Sequence, residues 1–288
     1  MMRWWHWLCG KKRDERPELS AETWRDLVCS IPILQGLTEA EQQQLIRLAG
    51  SFLQQKSITC LGVRPTPRQL GWMALQACLP ILYLGLDWYR NFYEVILLPD
   101  PIERMDPVWL DDQVMGAELG SHLGEAWEQG PVVLVWPEVL HDGQWDGYHL
   151  LIHELVHKLD MLAGGVANGM PPERPGIPIA MWQSVVEGAY QRLCARAAQG
   201  ESLWLDEQAC DGTDEYLAIA CEAFFTQPQQ LYQQEAELYR LLSRWFAQDP
   251  KARQPAAAEC WCRAAIFTNA VPFCCTAMWS CTWSTAPA

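Results

Sequence analysis

The chain has 288 residues, half of them apolar, which is enough to bury a sizeable core, so a folded domain and not a disordered chain is expected. Its 35 acidic against 21 basic residues give a net charge of −14, which disfavours a direct nucleic-acid partner or an anionic membrane surface. The opening Met1–Gly10 is apolar but short and runs into Lys11-Lys12-Arg13 without a cleavage site. Elsewhere no apolar run approaches the ~20 residues that span a bilayer, so a cytoplasmic protein is expected.

After this leader, Thr38 and Glu41 form a capping box, and Leu45, Ile46, Leu48, Ala49, Phe52 and Leu53 follow at helical spacing. A second helix is expected from Pro67 to Leu79. Tyr93–Leu98 and Pro131–Trp136 are β-rich runs that each stop at a proline and read as strands, with a short strand or hairpin between residues 116 and 129. A Gly/Pro-rich connection fills residues 164–178. Helical patterns resume at Ala180–Ala198, at Asp214–Phe225 with Asp211 or Thr213 as cap, and at Leu231–Phe246. Seven cysteines are scattered through the first 221 residues, as expected of reduced thiols. Cys260, Cys262, Cys274, Cys275 and Cys281 crowd the end without paired CxxC spacing or a histidine, and read as part of a tail, not a zinc site.

The chemistry concentrates in Leu150–Asp160, LLIHELVHKLD. On a helix, His153 and His157 share one face and can offer two imidazole nitrogens to one tetrahedral ion, while Glu154 can reach a water beside it and accept its proton. With six histidines and 21 glutamates, His-Glu-x-x-His is expected by chance about 0.01 times in such a chain. The alternative, a core helix with two satisfied histidines, requires buried partners for three polar groups among leucines. Asp160 and Ala163 stand where a metzincin would continue with Gly and His, and no histidine follows His157, so a downstream third ligand must be a carboxylate. His149, one turn before His153, is a candidate supporting group or alternative ligand. Glu215 and Glu222 lie seven apart on one face of the same predicted helix. Either suits a cation opposite, and Glu222 also suits the orienting of a ligand histidine.

Six segments, in order, resemble the bacterial Mlc titration factor A family, whose site is similar to that of the anthrax lethal factor catalytic domain: SIPILQGLTEAEQQQLIRLAGSFLQQK, QACLPILYLGLDWY, YEVILLPDP, GPVVLVW, GYHLLIHELVHKLDM and TDEYLAIACEAFFTQPQQL. The resemblance spans about Ser30 to Pro250. It implies an α+β, zincin-like metallopeptidase with a small mixed sheet beside the active-site helix and a helical C-terminal half. The expected organisation is a leader over 1–19, the metallopeptidase domain over 20–252 and a Cys/Trp/Ala-rich tail over 253–288. It further implies one Zn²⁺ per chain held by His153, His157 and Glu215, Glu154 as general base, and aminopeptidase-like action on peptides. The family's partner is Mlc, a transcriptional repressor of sugar phosphotransferase genes. Family members carry an oxyanion-stabilising tyrosine seven residues before the ligand glutamate. Here that position is Gln208, whose amide can donate a hydrogen bond. That departure motivates the rival reading, a regulatory binding protein that sequesters a transcription factor with weak or vestigial peptidase activity.

Overall fold

The computed structural model describes residues 19–111, 114–122, 124–126 and 130–255. Helix α1 (Ala21–Ser30) starts at Ser20, whose hydroxyl accepts from the Thr23 N–H. Helix α2 (Glu39–Gln55) has the expected capping box: the Glu41 N–H donates to Thr38 Oγ1 at 3.3 Å and the Thr38 N–H donates to the Glu41 carboxylate at 2.7 Å. It buries Leu45, Leu48, Ala49 and Phe52. Strand β1 (Ser57–Cys60) precedes α3 (Pro67–Cys78), where Thr66 and Gln69 make a second capping box with Pro67 in the first turn.

Strands β2 (Glu94–Leu98), β3 (Ile102–Asp111), β4 (Val114–His122), β5 (Gly124–Ala126) and β6 (Val132–Val135) follow. β3 and β4 form an antiparallel pair. The main sheet has the order β1-β2-β6-β5, parallel through the first three strands and antiparallel at β5. All four residues of β6 are buried, as a central strand covered on both faces requires. A short α4 (Trp136–Val139) leads to α5 (Leu150–Asp160), then α6 (Ile179–Ala198), α7 (Thr213–Thr226), α8 (Pro228–Gln234) and α9 (Ala236–Phe246). Helix α5 packs on β5, β6, α3 and α7. The expected α+β architecture, a small mixed sheet beside the histidine-bearing helix with a helical C-terminal half, is therefore the one observed.

Leu150, Leu151, Ile152, Leu155, Val156 and Leu159 are all buried, so the leucine-rich side of α5 is core. Each such side chain contributes about 1.5–3 kcal/mol when fully withdrawn from water. The back of the helix is tied to the sheet region by Lys158: its Nζ donates to Gly130 O at 3.0 Å, and its carbonyl accepts from Asn91 Nδ2 at 2.7 Å. The C-terminal half closes over an aromatic cluster in which Trp245 meets Trp88 and Trp182 at ring-centre distances of 5.4 and 5.9 Å, and Phe224 stacks on Phe246 at 5.5 Å.

Several elements differ from expectation. Helices α1 and α4 and strands β1 and β3 received no assignment from the sequence, and the short strand or hairpin expected between residues 116 and 129 is β4 and β5, which pair with β3 and β6 and not with each other. The helix expected over Leu231–Phe246 begins at Pro228 and breaks at Glu235 (φ −138°, ψ 70°), where the Glu235 carboxylate leaves the helical path and takes both Arg192 Nε and Nη2 from α6. Helix α7 has Gly212 as its N-cap residue, in extended backbone and without a side-chain cap, and not Asp211 or Thr213. Apart from residues 19 and 253–255, the leader and tail expected at the two ends, with the five clustered cysteines, lie outside the described residues.

Candidate metal centre

The first turn of α5 has its own buried anchor. Asp142 Oδ1 accepts from the Leu150 N–H at 2.9 Å and Oδ2 from the Leu151 N–H at 3.1 Å, and the N-cap residue His149 accepts from the Ile152 N–H through Nδ1 at 3.2 Å. Three of the four N–H groups that a helix start leaves unpaired are thus satisfied, two of them by a carboxylate suited to the positive end of the helix dipole. With Nδ1 accepting, His149 Nε2 is the nitrogen that donates to Gln76 Oε1 at 3.1 Å. His149 is therefore committed to the cap and stands outside the ligand group described next. Asp142→Ala is expected to cost about 2–3 kcal/mol, measured by urea unfolding, because it strands two buried donors. An unchanged midpoint would show that the cap adds nothing.

One turn further on, three side chains from two helices meet. His153 Nε2 lies 3.1 Å from His157 Nε2 and 3.2 Å from Glu215 Oε2, and His157 Nε2 lies 3.3 Å from Glu215 Oε1. Among the described residues this His153, His157, Glu215 group is the one set of three or more His, Cys, Asp or Glu donors placed to hold a metal ion, with its atoms within 4.8 Å of one another. A tetrahedral ion with bonds of 2.0–2.1 Å separates its donors by about 3.3 Å, so the observed spacings fit a first-row divalent cation. The donor chemistry, two imidazoles and one carboxylate, suits zinc and related metals.

Glu222 completes the arrangement from behind. Its Oε1 lies 2.8 Å from His153 Nδ1, and its Oε2 accepts from the His149 N–H at 2.6 Å. A proton on Nδ1, shared with Glu222, leaves the Nε2 lone pair directed at the centre. Of the two carboxylates seven apart on α7, Glu215 therefore faces Nε2 of both histidines and Glu222 faces the opposite nitrogen of one. Burial opposes a charge on His153, but hydrogen bonds to Glu215 and Glu222 outweigh it and hold the imidazole pKa well above its ordinary value. Burial likewise tends to raise Glu215, and the His153 and His157 rings overcome it, holding this carboxyl well below the usual range. The carboxylates favour positive charge at the His153 ring and the imidazoles favour the anionic form of Glu215, one interaction seen from both partners.

The group lines a cleft of about 760 Å³ with Glu154, Gln208, Tyr148, Trp204, Met161 and four aspartates, Asp146, Asp206, Asp211 and Asp214. Glu154 is 5 % exposed, as a group shielded from bulk water but open to a cleft should be. Gln208 sits in a 3₁₀ turn, Glu207–Cys210, that Asp206 opens by accepting the Gln208 N–H at 2.9 Å, and its exposed side chain lines the cleft. Tyr216 turns into the core against Tyr190. Sequence reasoning missed Asp142 and Tyr148. Nothing in local spacing marks a carboxylate eight residues upstream as the cap of α5, or marks Tyr148 as part of the cleft wall.

A helix-rich α+β fold with an imidazole and carboxylate triad beside a glutamate is the architecture of a zincin-like metallopeptidase. The chain belongs to the family described as glucose-regulated metallo-peptidase M90, whose profile matches residues 4–247. It is 38 % identical over 255 residues to a protein named Mlc titration factor A from Serratia proteamaculans, covering 86 % of this chain and 94 % of the relative. Relatives of the same name from Yersinia enterocolitica and Yersinia pestis are 34 % and 33 % identical, again over 86 % of this chain and over 92 % and 91 % of theirs. Among the described residues no helix is long and apolar enough to cross a membrane.

Proposed function

We propose that the protein is a zinc-dependent peptidase in which His153, His157 and Glu215 hold one Zn²⁺ per chain and Glu154 is the general base. The observation that carries this reading is the triangle of His153, His157 and Glu215 donors, spaced at 3.1, 3.2 and 3.3 Å, lining a cleft beside Glu154. When bound, zinc supplies a Lewis acid that brings the pKa of water towards ~7 and polarises a carbonyl. The chain's own residues do the rest. Glu154 takes a proton from the attacking water and delivers it to the leaving amide nitrogen, and the Glu222 carboxylate keeps His153 in the tautomer and orientation that presents Nε2. The Gln208 amide donates to the oxygen that gains charge as the carbonyl becomes tetrahedral. Asp146, Asp206, Asp211 and Asp214 give the cleft an anionic surround that attracts the cationic α-amine of a peptide, which supports aminopeptidase-like action.

The names of the relatives support a link to the Mlc repressor, and a chain with net charge −14 suits a basic DNA-binding protein better than DNA itself. On this reading the protein works in the cytoplasm, where such a repressor acts. Gln208 supports the second reading, a binding protein that sequesters the repressor and hydrolyses peptides weakly, because an amide donates less strongly than a phenol. Zinc content of the purified full chain, measured together with hydrolysis of a panel of free and N-blocked short peptides, tests both. About one zinc per chain and cleavage of the free-amine peptides is the expected result, and a zinc-free chain sinks the site. Inactive wild type with activity gained in Gln208→Tyr would favour the binding protein.

A further inference from the structure

Asp160 is the last residue of α5, one turn after His157, and is 1 % exposed. Its Oδ2 accepts from the N–H groups of Asn168 and Gly169, both at 2.6 Å, whereas Oδ1 is buried with no hydrogen-bond partner. A buried carboxylate with one oxygen left unpaired is costly, so its retention calls for a physical reason. The other polar groups of the same two residues supply one. Asn168 O accepts from Thr213 Oγ1 at 3.1 Å, and Gly169 O accepts from Trp182 Nε1 at 2.7 Å. All four backbone polar groups of Asn168 and Gly169 are thus held by side chains from three helices: Asp160 ends α5, Thr213 begins α7 and Trp182 belongs to α6. The approach is close enough to exclude a side chain, since Gly169 has φ +76° and a Cβ there would lie 2.8 Å from Thr213 O.

We propose that Asp160 is a positioning residue of the metal centre: through the Asn168-Gly169 backbone it fixes the start of α7, and with it the Glu215 carboxylate, against the histidines of α5. The proposal rests on the reading that His153, His157 and Glu215 bind zinc. Two of those donors come from α5 and the third lies two residues beyond Thr213, so a junction joining the end of one helix to the start of the other sets the distance between them. Such supporting contacts tune metal affinity without touching the ion.

The test is the zinc dissociation constant of the full chain, measured by competition with a chromogenic chelator, alongside the thermal midpoint of the metal-free protein. Asp160→Asn, which keeps the shape and removes the charge, is expected to weaken zinc binding about 10- to 100-fold. Thr213→Val removes one hydrogen bond of the same junction and is expected to weaken it about 2- to 10-fold, and it remains informative where Asp160→Asn fails to fold. Leu45→Ala, on α2 and outside the cleft lining, is expected to lower the metal-free midpoint and leave the zinc constant unchanged. Variants at Asp160 and Thr213 that lose thermal stability but bind zinc like wild type would overturn the proposal and leave the zinc site standing. A wild-type chain that binds no zinc would overturn both, and this shows before any variant is made.

Discussion

Glu154→Gln is expected to yield a folded protein that still carries about one zinc per chain and hydrolyses peptides about 10²- to 10⁴-fold more slowly, the usual worth of a general base. The substitution is nearly isosteric and Glu154 is not one of the three atoms of the donor triangle, so neither packing nor the ligand set changes. What is lost is the capacity to accept a proton, because an amide oxygen at neutral pH does not. Hydrolysis should fall in kcat with little change in KM, since the side chain acts as charge develops and not in holding the peptide. Zinc content and steady-state kinetics on one preparation separate the outcomes. Wild-type turnover in the variant would remove Glu154 from the reaction.

The second large effect distinguishes two carboxylates on one helix. Glu215→Ala is expected to bring zinc content far below one per chain, because it removes one of three donors and leaves two imidazoles to hold the ion. Glu222→Gln should retain zinc with an affinity about 10- to 100-fold lower, since the amide brings no charge to His153 and offers one acceptor oxygen where the carboxylate meets both His153 Nδ1–H and the His149 N–H. Glu222 Oε2 is occupied by the His149 N–H and Oε1 faces the far nitrogen of His153, so neither oxygen is free to reach the centre. If Glu222→Gln lost the metal and Glu215→Ala kept it, the two roles would have to be exchanged.

What the sequence made legible was periodic or local. Helix α5, the capping box at Thr38, the proline-bounded strands β2 and β6, and a carboxylate pair on one face of α7 all follow from spacing within a few turns. The resemblance selected Glu215 from that pair; the residues alone left the choice open. What escaped depends on contacts across long separations. The cap of α5 comes from Asp142 through a loop, the commitment of His149 depends on Gln76 73 residues away, and the break at Glu235 answers Arg192 on a different helix. Strand β1 is four residues long with exposed ends and partly buried middle, so it has little hydrophobic signature and exists because Ser57–Cys60 pairs in parallel with Glu94–Leu97.

Glu215 and Glu222 grip the two nitrogens of a single imidazole from one helix, two turns apart. The six residues between them therefore act as a length standard. Their identities can drift as long as they stay helical and fill the core, but one residue added or removed rotates one carboxylate by about 100° relative to the other, and His153 can then meet only one of them. Over this interval the protein is free to change its composition and not its count.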